Sequence, residues 1–469
     1  PAPITKTTFA KFTELSVENR AEGYTVGDTV FATIEAKNGL GERKQHGGDY
    51  FYCRLMSTNR KGDILGTGIA CDIIDHGNGF YIASAPLLWP GSSTLFVDLV
   101  HSSEAVAALV LESAASSAKG VHFVSTYPSG EEVDCNVGLR PNLGRSLCNL
   151  SQPEKGSSWF CYSDSAGNCP NVTYTETRYD NRVSFVGTTP LFNRATNFKV
   201  PIKMQGNVIQ ALPECKTETG MSERSFKNKA GYQSGFYLNG QWRSLQCKPR
   251  LTPLSPEQCL KNKVICCLGD STMRQWYFAL RKYLKLNDNP TKMRRKPNQQ
   301  IWQVPRVGYR PSHNITVYYR AHGLPLHNHG PPESQTFIVD TLKEIGTANG
   351  ENTFVVINLA LHFQLVDPIF YIQRLQAVRS AILELQRRTP GVRVFIRGCI
   401  RHRNTIKVVP TEWYSYRLNN ILRKTFASLP GVGFIDVWSM TTVFPNLGDI
   451  HPTAKRVLDH VRLFMSYFC

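Results

Sequence analysis

The sequence predicts a multidomain protein: an N-terminal antiparallel β-sandwich, a cysteine-rich extension of it, and a C-terminal α/β domain built on a parallel sheet. Three observations predict this. The 469 residues exceed what one hydrophobic core serves, since single cores stop growing near ~250 residues. Short alternating segments separated by turn residues fill roughly the first hundred positions. From Lys263 onward, apolar strands alternate with longer helical stretches, the pattern of βαβ units.

The elements follow in order. Within residues 1–120, Lys11–Val17, Thr29–Ala36, Phe51–Leu55 and Thr94–Val100 read as strands of a sandwich, with turns at Gly77–Gly79 and Trp89–Gly91. Ser102–Ala118, rich in Ala, Ser and Leu, reads as a helix closing that domain. Residues 121–245 lose periodicity and gain Cys, Gly, Asn and Pro, and are expected to be a loop-rich, disulfide-tied extension of the sandwich. Residues 246–469 form the third block. Its expected strands are Val264–Leu268, Phe354–Leu359, Arg393–Arg397 and Gly433–Trp438. A helix over 370–388 places Ile372, Leu375, Val378, Ile382 and Leu385 at spacings of three and four, and a last helix follows Pro452. In such open sheets chemistry gathers beyond the carboxyl ends of the strands.

Composition narrows the class. A hydrophobic fraction of 41% with 19% charged residues is that of a globular protein, and no apolar run approaches the ~18 residues of a spanning helix. The chain opens at Pro1 without Met, which leaves room for a signal peptide or anchor ahead of this numbering. Thirteen cysteines and three glycosylation acceptors, Asn149, Asn171 and Asn314, point to the secretory pathway. The cysteine spacings suit disulfides rather than a metal site, and none is expected. The odd total leaves at least one thiol outside an internal pair, with Cys266 and Cys267 the natural buried thiols. Residues 246–469 hold 31 Lys+Arg against 13 Asp+Glu, so the whole net charge of +18 lies there. Such a field attracts polyanions. Sialylated or sulfated glycans and a nucleotide cofactor fit that compartment better than nucleic acid does.

Strand Val264–Leu268 runs through Gly269-Asp-Ser into a helical stretch, which sets Ser271 at a strand-to-helix turn where free N–H groups and the helix dipole face a developing oxyanion. Some 180 residues later, Gly448-Asp-Ile-His-Pro precedes the last helix. There His451 is the expected base for Ser271 and Asp449 its orienter, because a serine hydroxyl attacks only when an imidazole takes its proton. Asp436, at the end of the preceding strand, or a backbone carbonyl stands as the alternative orienter.

These residues carry a resemblance. Gly269-Asp-Ser-Thr-Met-Arg-Gln, Val356-Ile-Asn-Leu-Ala-Leu-His-Phe, Phe434-Ile-Asp-Val-Trp-Ser-Met and Asp449-Ile-His-Pro resemble the PC-esterase branch of the SGNH hydrolase and acyltransferase superfamily. Nearly the whole chain is similar to the neurexophilin and PC-esterase domain proteins, with an immunoglobulin-like, neurexophilin-type sandwich first. The resemblance implies a triad of Ser271, His451 and Asp449. It also implies an oxyanion hole from the Ser271 N–H, the Asn358 side chain and a glycine, for which Gly323 is the candidate. The family's acid usually stands three residues before the histidine, whereas position 448 here is glycine. Arg274 matches an arginine of these acyltransferases and binds a substrate carboxylate, steadies the site or is an ordinary surface charge. His362 is a wall of the site or a core histidine. Arg397, Arg401 and Arg403 belong either to a basic rim or to a solvated loop. The implied activity is transfer of acetyl from acetyl-CoA to sialic acid on mucin-like glycoprotein glycans in the Golgi lumen or outside the cell. An O-acetylesterase using the same triad and a non-catalytic adhesion or receptor-binding protein are the alternatives.

Overall fold

A computed structural model of the chain describes residues 3–114, 121–139, 144–163, 169, 171–179, 189–205, 209–212, 234–245, 255–288, 301–323, 329–346, 350–403, 411–447 and 450–469. It divides into two compact units. The first comprises Pro1–Val110, Ser184–Lys248 and Trp438–Pro445; the second comprises Leu111–Val183, Pro249–Val437 and Asn446–Cys469.

The first unit holds two mainly antiparallel sheets over one core. Glu14–Val17, Thr29–Glu35, Phe80–Pro86 and Asp72–Asp75 lie side by side in one sheet, and Ile64–Ala70, Tyr50–Thr58 and Gly91–His101 form the centre of the other. Strict alternation places Val30, Ala32 and Ile34 of the first sheet and Leu95, Val97 and Leu99 of the second in the shared core, with Tyr81 and Trp89. A disulfide joins Cys53 to Cys71. The expected closing helix runs over Ser103–Ala114; Ser102 stands just ahead of it, and residues 115–118 lie outside the described residues.

Residues 121–245 divide between the units instead of forming one extension of the sandwich: the segment through Val183 belongs to the second unit and the remainder to the first. The reason is strand pairing. Val121–Thr126, Glu132–Asn136, Ser146–Asn149, Phe160–Ser163 and Tyr174–Tyr179 make an antiparallel sheet, tied by Cys135–Cys161 and Cys148–Cys169, and His329–Gly330 from the α/β region completes its edge against Thr175 and Glu176. Lys155 pairs with Asp340 at 2.8 Å, and the buried Arg374 donates Nε to the Gly156 carbonyl at 3.1 Å.

The core of the second unit is a sheet whose strands are β1 (Val264–Gly269), β2 (Ile315–Ala321), β3 (Thr353–Ile357), β4 (Arg393–Arg397) and β5 (Val432–Ile435). They are parallel and lie in the order β2-β1-β3-β4-β5, with two antiparallel strands, Asn287–Asp288 and Arg306–Arg310, beyond β2. The intervening helices include α1 (Ser271–Tyr283), α2 (Ile338–Glu344), α3 (Pro368–Arg388) and α4 (Glu412–Phe426), and α5 (Ala454–Ser466) follows β5. β3 is buried at every position, as a strand covered on both faces must be. The stretch read as one strand through Trp438 stops at Ile435, and Trp438 instead opens a short helix in the first unit, where Arg54 donates to the Val443 carbonyl at 3.0 Å. A fourth disulfide closes Cys259 to Cys469. Cys266, Cys267 and Cys399 are buried free thiols, as expected for the vicinal pair.

Candidate active site

β1 enters the sheet first, and its two neighbours, β2 and β3, lie on either side of it. Its carboxyl end is therefore where the direction of winding reverses, and this opens a crevice in such sheets. Ser271 stands there as the first residue of α1. Gly269 makes the turn possible: its φ is +154°, and a Cβ built there collides with the Asn358 carbonyl. Asp270 follows in extended conformation and caps α1, its Oδ1 accepting from the Thr272 N–H at 2.8 Å and from Thr272 Oγ at 2.6 Å. The serine hydroxyl then lies at the helix N-terminus, where the dipole favours negative charge.

His451 arrives from just before α5. Its Nε2 lies 2.8 Å from Ser271 Oγ, across 180 residues of sequence, and both groups are partly exposed. That is the hydrogen bond a serine nucleophile and its base require. Asp449, the expected orienter, lies outside the described residues. Asp436, the alternative, is buried at the end of β5 with its Oδ2 3.2 Å from the Arg423 guanidinium.

Asn358 closes the other side of the crevice. Its backbone N–H donates to the Leu268 carbonyl at 2.9 Å, while Nδ2 donates to Arg397 O at 3.0 Å and lies 3.4 Å from Gly398 O. The amide hydrogens are thus turned toward the end of β4, and Oδ1 is buried with no partner among the described residues. Gly323 sits at the end of β2 beside the nucleophile turn, since the His322 N–H donates to Gly269 O at 3.2 Å. His322 donates Nδ1–H to Gly323 O at 2.6 Å, which assigns its tautomer.

His362 is buried rather than lining the surface. Its ring centroid is 4.7 Å from that of His322, and burial first, then His322, push its imidazole down to about 3, against the opposing pull of Asp270. Arg274 lies one turn along α1 with its guanidinium 5.9 Å from the centre of the Phe278 ring; partial burial and the neighbouring Arg306 weaken its hold on its proton.

Arg397 and Arg401 form neither a basic rim nor a solvated loop. Both are buried. Arg397 donates Nη2 to Thr272 Oγ1 at 2.6 Å and faces Asp270, and Arg401 lies 3.9 Å from the buried Glu412. The Arg403 side chain lies outside the described residues. Burial alone would raise the Asp270 carboxyl, but His362, Arg397, the Thr272 hydroxyl and His322 outweigh it and hold it below the usual range. With His362 neutral above about pH 3, Arg397 faces Asp270 as a permanent charge at neutral pH. Sequence reading passed over Thr272, His322 and this role of Arg397. One signal was present: a buried apolar strand ending in arginine demands an internal partner.

The acceptors Asn149, Asn171 and Asn314 are all exposed. Among the described residues no cluster of three metal-binding side chains occurs, and no helix is long and apolar enough to cross a membrane.

Fold and site together define a doubly wound α/β domain with a paired serine and histidine at its switch point. Residues 242–469 match the family model described as NXPE family member 4-like, C-terminal domain, and residues 35–198 match the Neurexophilin model. The chain belongs to the neurexophilin and PC-esterase domain family. Among solved structures it is similar to a carbohydrate esterase family 2 enzyme with a carbohydrate-binding domain from Corynascus thermopiles (Myceliophthora fergusii), at 12% identity and a TM-score of 0.26, covering 81% of this chain and 93% of that one. It is also similar to invasin, a bacterial integrin-binding protein, at 13% identity and a TM-score of 0.15, covering 68% and 60%. Both scores are below those of a shared fold. The four disulfides and the Neurexophilin match are consistent with a protein of the secretory pathway or a secreted one.

Proposed function

We propose that this protein is a serine O-acetyltransferase that moves acetyl from acetyl-CoA to a hydroxyl of sialic acid on glycoprotein glycans in the Golgi lumen. The observation that carries the reading is the 2.8 Å contact between Ser271 Oγ and His451 Nε2 at a helix N-terminus. Ser271 Oγ attacks the thioester carbonyl while His451 Nε2 takes its proton, and the oxyanion is met by the Ser271 N–H. Gly323 and Asn358 stand beside it at the neighbouring strand ends, and Asn358 contributes once an amide hydrogen turns from the β4 carbonyls. Collapse expels the CoA thiolate, which receives the proton from His451. The sugar hydroxyl then gives its proton to His451 as its oxygen attacks the acyl carbonyl, and the proton returns to Ser271 Oγ as the new ester leaves. Asp449 or Asp436 fixes the imidazole tautomer.

The excess of positive charge in residues 246–469 supports anionic substrates, since the donor carries phosphates and the acceptor a carboxylate. Arg274 is the nearest guanidinium along α1 to the nucleophile and serves the acceptor carboxylate in this reading. Buried Arg397 and Arg401 contribute to the site's rigidity instead.

Mass spectrometry of a sialoside incubated with acetyl-CoA and the protein tests this. Acetylated product that disappears with Ser271→Ala is the expected result. CoA release without acetylated sugar would make water the acceptor and the protein an esterase. Equal product from Ser271→Ala would return the chain to a non-catalytic, adhesive role.

A further inference from the structure

Helix α1 meets the segment carrying His451 twice. Ser271, in its first turn, takes the imidazole at 2.8 Å. Gln275, four residues on and therefore on the same face, donates Nε2–H to the Pro452 carbonyl at 3.1 Å. Proline has no N–H, so that carbonyl is the only backbone hydrogen-bonding group Pro452 owns. It lies between the imidazole and Thr453, the residue at the N-terminal boundary of α5. The other amide atom of Gln275, Oε1, is buried with no partner among the described residues. An unmet buried acceptor is unfavourable. An apolar side chain of the same length would avoid that cost, so the position is suited to a residue needed for its donor.

We infer that Gln275 is a positioning residue: by holding the Pro452 carbonyl one helical turn from Ser271, it sets the approach of His451 to the nucleophile. Nucleophile and base are then referenced to the same rigid helix rather than to a loop. Displacing the imidazole by about 1 Å opens the Ser271–His451 hydrogen bond and costs rate without touching substrate contacts.

The kinetic arm of the test rests on the acyl-transfer reading of Ser271; the structural arm does not. With p-nitrophenyl acetate as the probe, Gln275→Leu and Gln275→Glu, which fill the same space without a donor at neutral pH, are expected to lower kcat about tenfold with KM unchanged. Gln275→Lys keeps an N–H donor of similar reach and is expected to recover most of the rate. Wild-type kcat in both donor-less variants, or equal losses in all three, overturns the inference. Absence of Ser271-dependent turnover in the wild-type protein counts against the acyl-transfer reading, and a crystal structure of Gln275→Leu then decides: the inference expects His451 Nε2 to leave Ser271 Oγ, and an unchanged 2.8 Å contact overturns it.

Discussion

Asp270 carries its charge where water does not reach, directly before the nucleophile, and the residues around it explain why it stays ionised there. Oδ1 holds Thr272 by two hydrogen bonds, and Thr272 Oγ1 in turn accepts from buried Arg397, so both chain neighbours of Ser271 are tied to the end of β4. Removing one partner of such a buried set leaves the other uncompensated, at about 3–5 kcal/mol. Arg397→Met is therefore expected to destabilise the protein by that amount in urea, and the double variant with Asp270→Asn to recover a large part of it. Additive losses would show that the two groups are not coupled. His362 gives a pH signature. Asp270, His322 and His451 face it, and its folded value of about 3 lies below the ordinary 6.5. The unfolded chain takes up the proton first as pH falls. The contribution is thus fully present above pH 6.5 and is lost between 6.5 and about 3, with a slope approaching 1.4 kcal/mol per unit. His101 and His460 are depressed by burial in the same direction, so His362→Gln is expected to flatten the decline rather than abolish it when unfolding is followed from pH 7 to 5.

At the level of elements, what sequence revealed was whatever a local pattern encodes. The run Val264–Leu268 is apolar at every position because both faces are covered, and the spacing of Leu375, Val378, Ile382 and Leu385 reports one buried stripe of α3. The strand-to-helix turn at Ser271 was legible because Gly269, the Asp270 cap and the helix follow one another directly. The fate of residues 121–183 was not legible. Their sheet is completed by His329–Gly330, some 150 residues later, and two residues carry no periodicity to read. Trp438 was misplaced for a related reason: Val437 and Trp438 resume the strand-like apolar character after Asp436, yet the chain leaves the strand at Ile435 and packs Trp438 near Tyr52 in the first unit. Nor did composition separate a solvated arginine from a buried one. Arg397 and Arg401 follow a strand, where a rim is plausible, but their partners Thr272 and Glu412 lie 125 and 11 residues away and become visible only in the fold.

On the scale of the molecule, both units are assembled from separated stretches of chain, so a covalent link at the right place constrains far more than its local loop. Cys259 follows Ser255 and Pro256 at the start of the α/β region, and Cys469 follows α5; their disulfide spans 210 residues and joins the beginning of the second unit's middle segment to the end of its last one. Closing a loop of that length removes denatured-state entropy worth on the order of 5 kcal/mol in the chain-entropy description. Among the described residues the free thiols offer no substitute partner: Cys266, Cys267 and Cys399 are buried, and burial pushes the Cys266 thiol up to about 12, with Cys267 and Cys399 raised as well. Cys259→Ser/Cys469→Ser is therefore expected to lower the protection of backbone amides in β1, β3 and β4 against hydrogen exchange by up to that amount, while amides of Thr29–Glu35 and Gly91–His101 in the first unit keep theirs. Ser271 would retain its place at the end of β1, because the turn at Gly269 and the Asp270 cap are local and need no help from the chain ends. Equal loss of protection in both units would show instead that they unfold as one cooperative body, and that this disulfide stabilises the whole chain rather than the α/β unit alone.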